Sequence, residues 1–170
     1  MPATPPELFA LLDRLGIAHA TVAHPALFTV EQSRALRGQI PGGHTKNLFL
    51  RDKRGAFTLV VALEDAAIAL KSLHLRLDSG RFSFGSPQAM REHLGVEPGS
   101  VTPFAAINDT AGQVGVVLDA AMLAFETLNF HPLVNTMTTS ISRAGLLKFL
   151  AATGHEPRIE RVSEAVPAPD

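Results

Sequence analysis

Apolar residues recur every three to four positions across residues 5–15, PPELFALLDRL, a spacing that predicts an amphipathic helix. Thr4 with Glu7, and prolines at 5 and 6, mark its start. The run HATVAH at 19–24 predicts a short strand. Thr29 with Gln32 repeats the capping pattern for a helix to about Arg37, ended by Gly38. Residues 44–51 and 56–63 flank DKRG and predict a hairpin. Its second arm, FTLVVAL, is almost wholly apolar, as in a central strand buried on both faces. Asp65 predicts the cap of a helix through AAIALKSLHLRL, stopped by the DSG turn. RFSFG reads as a short strand, and Ser86-Pro87 opens a helix over QAMREHLG. VEPGSVTPFAAIND predicts a loop followed by a short strand. QVGVVLD predicts a strand, AAMLAFETL a helix and FHPLVNTMTTSIS a strand after its proline. Ser142 caps a last helix, RAGLLKFLAATG, and the tail offers one edge strand. Helices and strands interleave without a regular strand–helix–strand beat, so the expected class is α+β with a mixed sheet rather than a doubly wound one.

Composition narrows this picture. A chain of 170 residues with 46% hydrophobic and 18% charged residues can bury the core of one domain. The absence of cysteine removes disulfide and thiolate chemistry and fits a reducing compartment. The first residues lack the basic and apolar regions of a signal peptide, and no apolar run approaches the roughly 18 residues of a membrane span. A cytoplasmic location with no membrane partner is therefore expected. A net charge of −1 argues against a protein that coats DNA or RNA. Locally, however, Arg34, Arg37, Lys46, Arg51, Lys53 and Arg54 face a single acid, Asp52, between residues 33 and 54. Such a cluster is either a solvated basic face or a patch for an anion.

Candidate chemistry is sparse. PGGHTKNLFLRD at 41–52 delivers Lys46 from a glycine turn, as phosphate sites do, but His44 and Thr45 intervene and a strand follows, so it is not a P-loop. The seven histidines show no tight metal-ligand spacing, and no metal or other cofactor is expected. No G-x-S-x-G elbow is present. The hydroxyls of NTMTTSIS at 135–142 form either the polar face of a strand or the lining of a pocket. Gly99 and Pro103 bracket PGSVTP, an ordinary turn or a loop offering backbone N–H groups to an oxyanion.

Three blocks in order, GGHTKNLFLRD, PGSVTPFAAIND and NFHPLVNTMTTSIS, together resemble the YbaK/prolyl-tRNA synthetase-associated editing domain family, over about Pro5 to Arg161. The resemblance implies one compact domain over residues 1–170, with a mixed, largely antiparallel, barrel-like sheet surrounded by helices. It implies a cofactor-free trans-editing deacylase that hydrolyses the ester of alanyl-tRNA(Pro) to alanine and tRNA. A deacylase for another mischarged tRNA, such as cysteinyl-tRNA(Pro), and a non-catalytic module binding tRNA or a synthetase are the alternatives. The implied partners are the alanine-bearing acceptor end of tRNA(Pro) and, transiently, prolyl-tRNA synthetase or an elongation factor. Lys46, Gly99 and His131 take the implied catalytic roles: Lys46 at the terminal adenosine, Gly99 at the ester carbonyl, His131 orienting substrate or water. Asn47, Ser100, Val101, Thr102, Pro103, Thr138 and Ser140 are the implied substrate contacts. Arg34, Arg37, Arg51, Lys53, Arg54 and Arg81 would meet the acceptor-stem phosphates.

Overall fold

A computed structural model of the chain describes residues 1–26 and 30–164; in the second helix it leaves the side chains of residues 30, 33, 36 and 37 outside the description. Thr29, the expected cap of that helix, lies outside the described residues.

The chain opens with helix α1 (Pro5–Arg14), where the Thr4 hydroxyl accepts from the Glu7 N–H. Strand β1 (His19–Ala23) and helix α2 (Val30–Arg37) follow. The hairpin consists of β2 (Gly43–Asp52) and β3 (Phe57–Leu63). Asp52 Oδ1 accepts from the N–H groups of Arg54 and Ala56 at 2.8 and 2.9 Å, so the acid within the basic cluster shapes the turn. Next come α3 (Leu70–Leu77), β4 (Phe82–Phe84) and the short α4 (Pro87–Ala89), which continues as a π turn over Met90–Leu94. Strand β5 (Val114–Asp119), β6 (Thr127–Phe130), β7 (Met137–Ser142), helix α5 (Arg143–Ala152) and β8 (Arg158–Glu160) complete it.

The sheet is mixed and has eight strands in the order β1-β7-β6-β2-β3-β5-β8, with β4 added beside β2. Four pairings are antiparallel and three parallel. β3 lies at the centre, between β2 and β5. Its alternation divides the core: Leu59 and Val61 join the larger apolar cluster with α1, α5 and Phe104, while Val60 joins Leu73 and Leu77 of α3 in the smaller one. Both faces of the sheet are thus buried at β3, as its unbroken apolar run requires.

Four local expectations are corrected. Helix α3 starts at Leu70, not beside Asp65. The Ala66 carbonyl accepts from Lys46 Nζ and the Ala67 carbonyl from the Glu164 N–H, so tertiary partners take the groups that would have made the first helical turn. Instead of a strand, PFAAIN forms a 3₁₀ helix over Pro103–Asn108, because the Thr102 hydroxyl accepts from the Phe104 N–H and Pro103 pre-sets the first helical residue. Residues 120–128 divide into a 3₁₀ turn, Ala120–Ala124, and the start of β6. Residues 131–136 are a turn, so the strand expected after Pro132 begins only at Met137.

Candidate active site

One edge of β2 carries the site. On that edge β6 pairs with Gly43 and His44, and β4 pairs with Leu50 to Asp52. Between them, Thr45 to Phe49 are in register with no strand there among the described residues, although the Thr45 hydroxyl donates to the Asn129 carbonyl of β6. Glu64 N–H donates to the His44 carbonyl on the β3 side, and Gly85 N–H donates to the Phe49 carbonyl on the β4 side. Odd-numbered residues of β2 therefore turn their backbone groups toward that edge, which places the N–H and C=O of Asn47 along it. An exposed strand edge of this kind is a ready hydrogen-bonding template.

A cavity of about 360 Å³ occupies this gap, within the size range of ligand pockets. It brings together Lys46, Asn47, Gly99, Val101 and His131 from three distant blocks of sequence. Apolar wall comes from Leu48, Phe49, Phe84 and Met90. Successive residues on a strand point to opposite faces, yet Lys46 and Asn47 both reach the cavity because it opens at the strand edge. Lys46 Nζ donates to the Ala66 carbonyl, one of the three bonds an ammonium can give. Asn47 Oδ1 is buried with no hydrogen-bond partner among the described residues. A buried amide oxygen left unpaired costs about 1–3 kcal/mol, and a ligand that supplies a donor removes that cost.

His131 follows β6. Its Nδ1 lies 3.1 Å from the Met137 carbonyl, and a carbonyl only accepts, so Nδ1 carries the proton. In the neutral ring Nε2 then presents a lone pair. Burial holds the His131 pKa below its usual value of 6.5, and the charge of nearby His24 adds to this, outweighing the opposing bond to Met137. The His24 ring lies 6.4 Å from that of His131, and its Nε2 is 2.8 Å from the Thr138 hydroxyl. Sequence reasoning missed His24, because only the β1–β7 pairing carries it to His131. Gly99 is exposed with φ at +90°, a conformation that side chains resist.

The remaining predicted residues lie outside this cavity. Ser100, Thr102 and Pro103 are buried behind Gly99, and the Thr102 hydroxyl caps the 3₁₀ helix. Thr138 is buried against His24, and the Ser140 hydroxyl donates to Asn129 Oδ1. Asn129 Nδ2 in turn donates to the carbonyls of Pro41 and Gly43, holding the glycine turn before Lys46. Arg51, Lys53 and Arg54 are exposed at the far end of β2. Arg81 is exposed next to them, since Phe82 pairs with Asp52. Arg51 also lies over the Phe57 ring, 5.9 Å from its centre. At about 3.3 Å per residue, Arg51 is roughly 13 Å along the strand from Asn47. Arg34 is exposed on α2, and the Arg37 side chain lies outside the described residues. Among the described residues, no three His, Asp or Glu side chains group to hold a metal, and no helix is long and apolar enough to cross a membrane.

Residues 24–149 match the model of the aminoacyl-tRNA editing domain. The chain belongs to that family. Full-length relatives bracket it: it is 39% identical over 158 residues to prolyl-tRNA synthetase associated domain-containing protein 1 of Mus musculus, covering 90% of this chain and 93% of that one. It is 33% identical over 149 residues to prolyl-tRNA editing protein ProX of Acetoanaerobium sticklandii, covering 87% and 91%. The fold of this editing domain matches a solved candidate trans-editing enzyme for prolyl-tRNA synthetase, with a TM-score of 0.69 over 97% of this chain and 100% of that one at 16% identity.

Proposed function

We propose that this editing domain acts in trans as a deacylase, hydrolysing alanyl-tRNA(Pro) to alanine and tRNA(Pro). The observation that carries the reading is the unpaired, buried Asn47 Oδ1 in a cavity that also holds Lys46, Gly99 and His131. The names of the relatives at 33–39% identity support prolyl-tRNA as the setting.

The chemistry needs little from the protein. An aminoacyl ester is already activated, and a ribose hydroxyl lies beside its carbonyl, so placing a water and stabilising the oxyanion can suffice. In this reading Asn47 Oδ1 accepts from the α-ammonium of the aminoacyl group. Lys46 keeps two donors for ribose or phosphate oxygens of the terminal adenosine, and for the charge that develops. The exposed turn at Gly99 lets the carbonyl approach the backbone closely. The Nε2 lone pair of His131 orients the water. In this reading Val101, Met90 and Phe84, which line the cavity, form the wall that selects alanine over proline. A sieve of this kind corrects what a synthetase cannot, because a pocket shaped for proline also admits the smaller alanine, and each missing methylene is worth only about 1–3 kcal/mol.

Lys46→Ala tests the assignment. Deacylation of alanyl-tRNA(Pro) is expected to fall by about two orders of magnitude, as for the loss of one oxyanion donor, with an unchanged circular dichroism spectrum. Wild-type turnover by the folded variant would remove Lys46 from the mechanism.

A further inference from the structure

A second cavity, also of about 360 Å³, borders the start of β2 at Gly43 and His44 and plays no part in the reaction above. Its walls include Gly43, Leu63, Asp119, Ala121, Phe125 and Arg161. Two features of it are unsatisfied. Asp119, the last residue of β5, is fully buried. Its Oδ1 accepts from the N–H groups of Val162 at 3.0 Å and Ser163 at 3.3 Å, fastening the C-terminal segment to the sheet. Its Oδ2 has no partner among the described residues. A carboxylate oxygen buried without a donor is unfavourable, and a cationic donor compensates it best. Arg161 is the second feature. It is exposed, and although its carbonyl accepts from Arg76, its guanidinium makes no ion pair or hydrogen bond among the described residues. The lining also carries apolar wall: Leu63, Ala121 and Phe125, the last still 43% exposed.

A ligand that satisfies the cavity therefore carries a donor cation, a planar anion and a small apolar body. A metal ion offers only the first. A phosphate brings no cation for the buried Asp119 oxygen, whereas a zwitterion carries its own. An α-amino acid has all three. We propose that this cavity is a binding site for a free zwitterionic α-amino acid with an apolar side chain. Its ammonium donates to Asp119 Oδ2, its carboxylate takes the fork of Arg161, and its side chain covers Leu63, Ala121 and Phe125.

The test is a titration of the intact chain, without tRNA, by calorimetry and by amide chemical shifts, so its outcome does not depend on deacylase activity. L-Leucine, L-alanine, n-butylamine, isovalerate and adenosine 5′-monophosphate are the probes. Saturable binding of L-leucine is expected, with shifts at Gly43, Ala121 and Ser163, and at least tenfold weaker binding of the amine and the acid alone. Asp119→Asn keeps an oxygen for Val162 and Ser163 but presents an amide to the ligand, and should weaken leucine binding at least tenfold. Arg161→Gln, at an exposed position, should do the same and keeps the test valid if Asp119→Asn unfolds. The proposal is overturned by three results: no saturable binding of either amino acid, undiminished binding by a folded Arg161→Gln protein, or binding of the nucleotide but not of leucine.

Discussion

His131 is built to accept a hydrogen bond. Met137 takes its Nδ1 proton, and burial together with the charge of His24 holds its pKa below 6.5. If the neutral ring orients water, the acid limb of the rate–pH profile should lie below pH 6.5 and carry the titration of one group. His24→Ala removes the neighbouring charge and should move that limb upward. An acid limb above 6.5 in the wild type would contradict the assignment. The same shift has a sign for stability. Because the native state disfavours the protonated ring, His131 contributes stability above pH 6.5 and loses it as the pH falls toward the lowered native value. At this scale the sequence was partly legible. Lys46, Asn47, Gly99 and His131 were reached through the family resemblance, and one cavity gathers them. The unpaired Asn47 oxygen and the nearness of His24 were not legible. The nearness of His24 depends on a strand pair more than a hundred residues apart, and the open edge at Asn47 on where β4 and β6 stop pairing with β2, neither of which leaves a local pattern.

Among the elements, β2 does most to arrange the molecule. One strand joins the glycine turn, the cavity and the basic end, and its edge is open where the cavity lies. The hairpin and the buried central strand were readable from alternation and turn chemistry. The late start of α3 was not, because the carbonyls of Ala66 and Ala67 go to distant donors. The 3₁₀ helix after Thr102 had its signal in the Thr-Pro pair, which local chemistry reads equally well as a plain turn. A second junction, remote from the cavity, fixes α5 to the sheet. His155 Nε2 lies 2.7 Å from Asp109 Oδ2, and both side chains are only 3% exposed. Burial raises the Asp109 pKa, but the bonds from His155 and from the N–H groups of Val114 and Gln113 together bring it below 3.8. Asp109→Ala leaves these donors unpaired and should cost about 3 kcal/mol in chemical denaturation. The stability from Asp109 is present above pH 3.8 and is lost as the pH falls through its lower native value. An Asp109→Ala protein within 1 kcal/mol of wild type, roughly the effect of an ordinary substitution, would contradict this.

Over the whole molecule, charge is nearly balanced, but the cations are not evenly spread. Arg51, Lys53, Arg54 and Arg81 share the end of the hairpin beyond the cavity. Under the proposed function, an acceptor stem would lie along β2 with its single-stranded end at Asn47. Neutralising all four should weaken tRNA binding and flatten the fall of log affinity with log salt by about 0.7–0.9 for each phosphate no longer neutralised. An unchanged slope would leave these residues as a solvated face. The α+β class and the mixed sheet followed from the interleaving of elements. The strand order did not, because it depends on long-range pairing such as β2 with β6 and β3 with β5. The account depends most on the size sieve at the open edge of β2. The most direct test compares deacylation of alanyl-, cysteinyl- and prolyl-tRNA(Pro) by the wild-type chain under single-turnover conditions. The alanyl ester is expected to be hydrolysed at least about ten times faster than the prolyl ester, the least that even a single methylene supplies, and proline carries two ring carbons more than alanine. Equal rates on the alanyl and prolyl esters, or no hydrolysis of either, would contradict it.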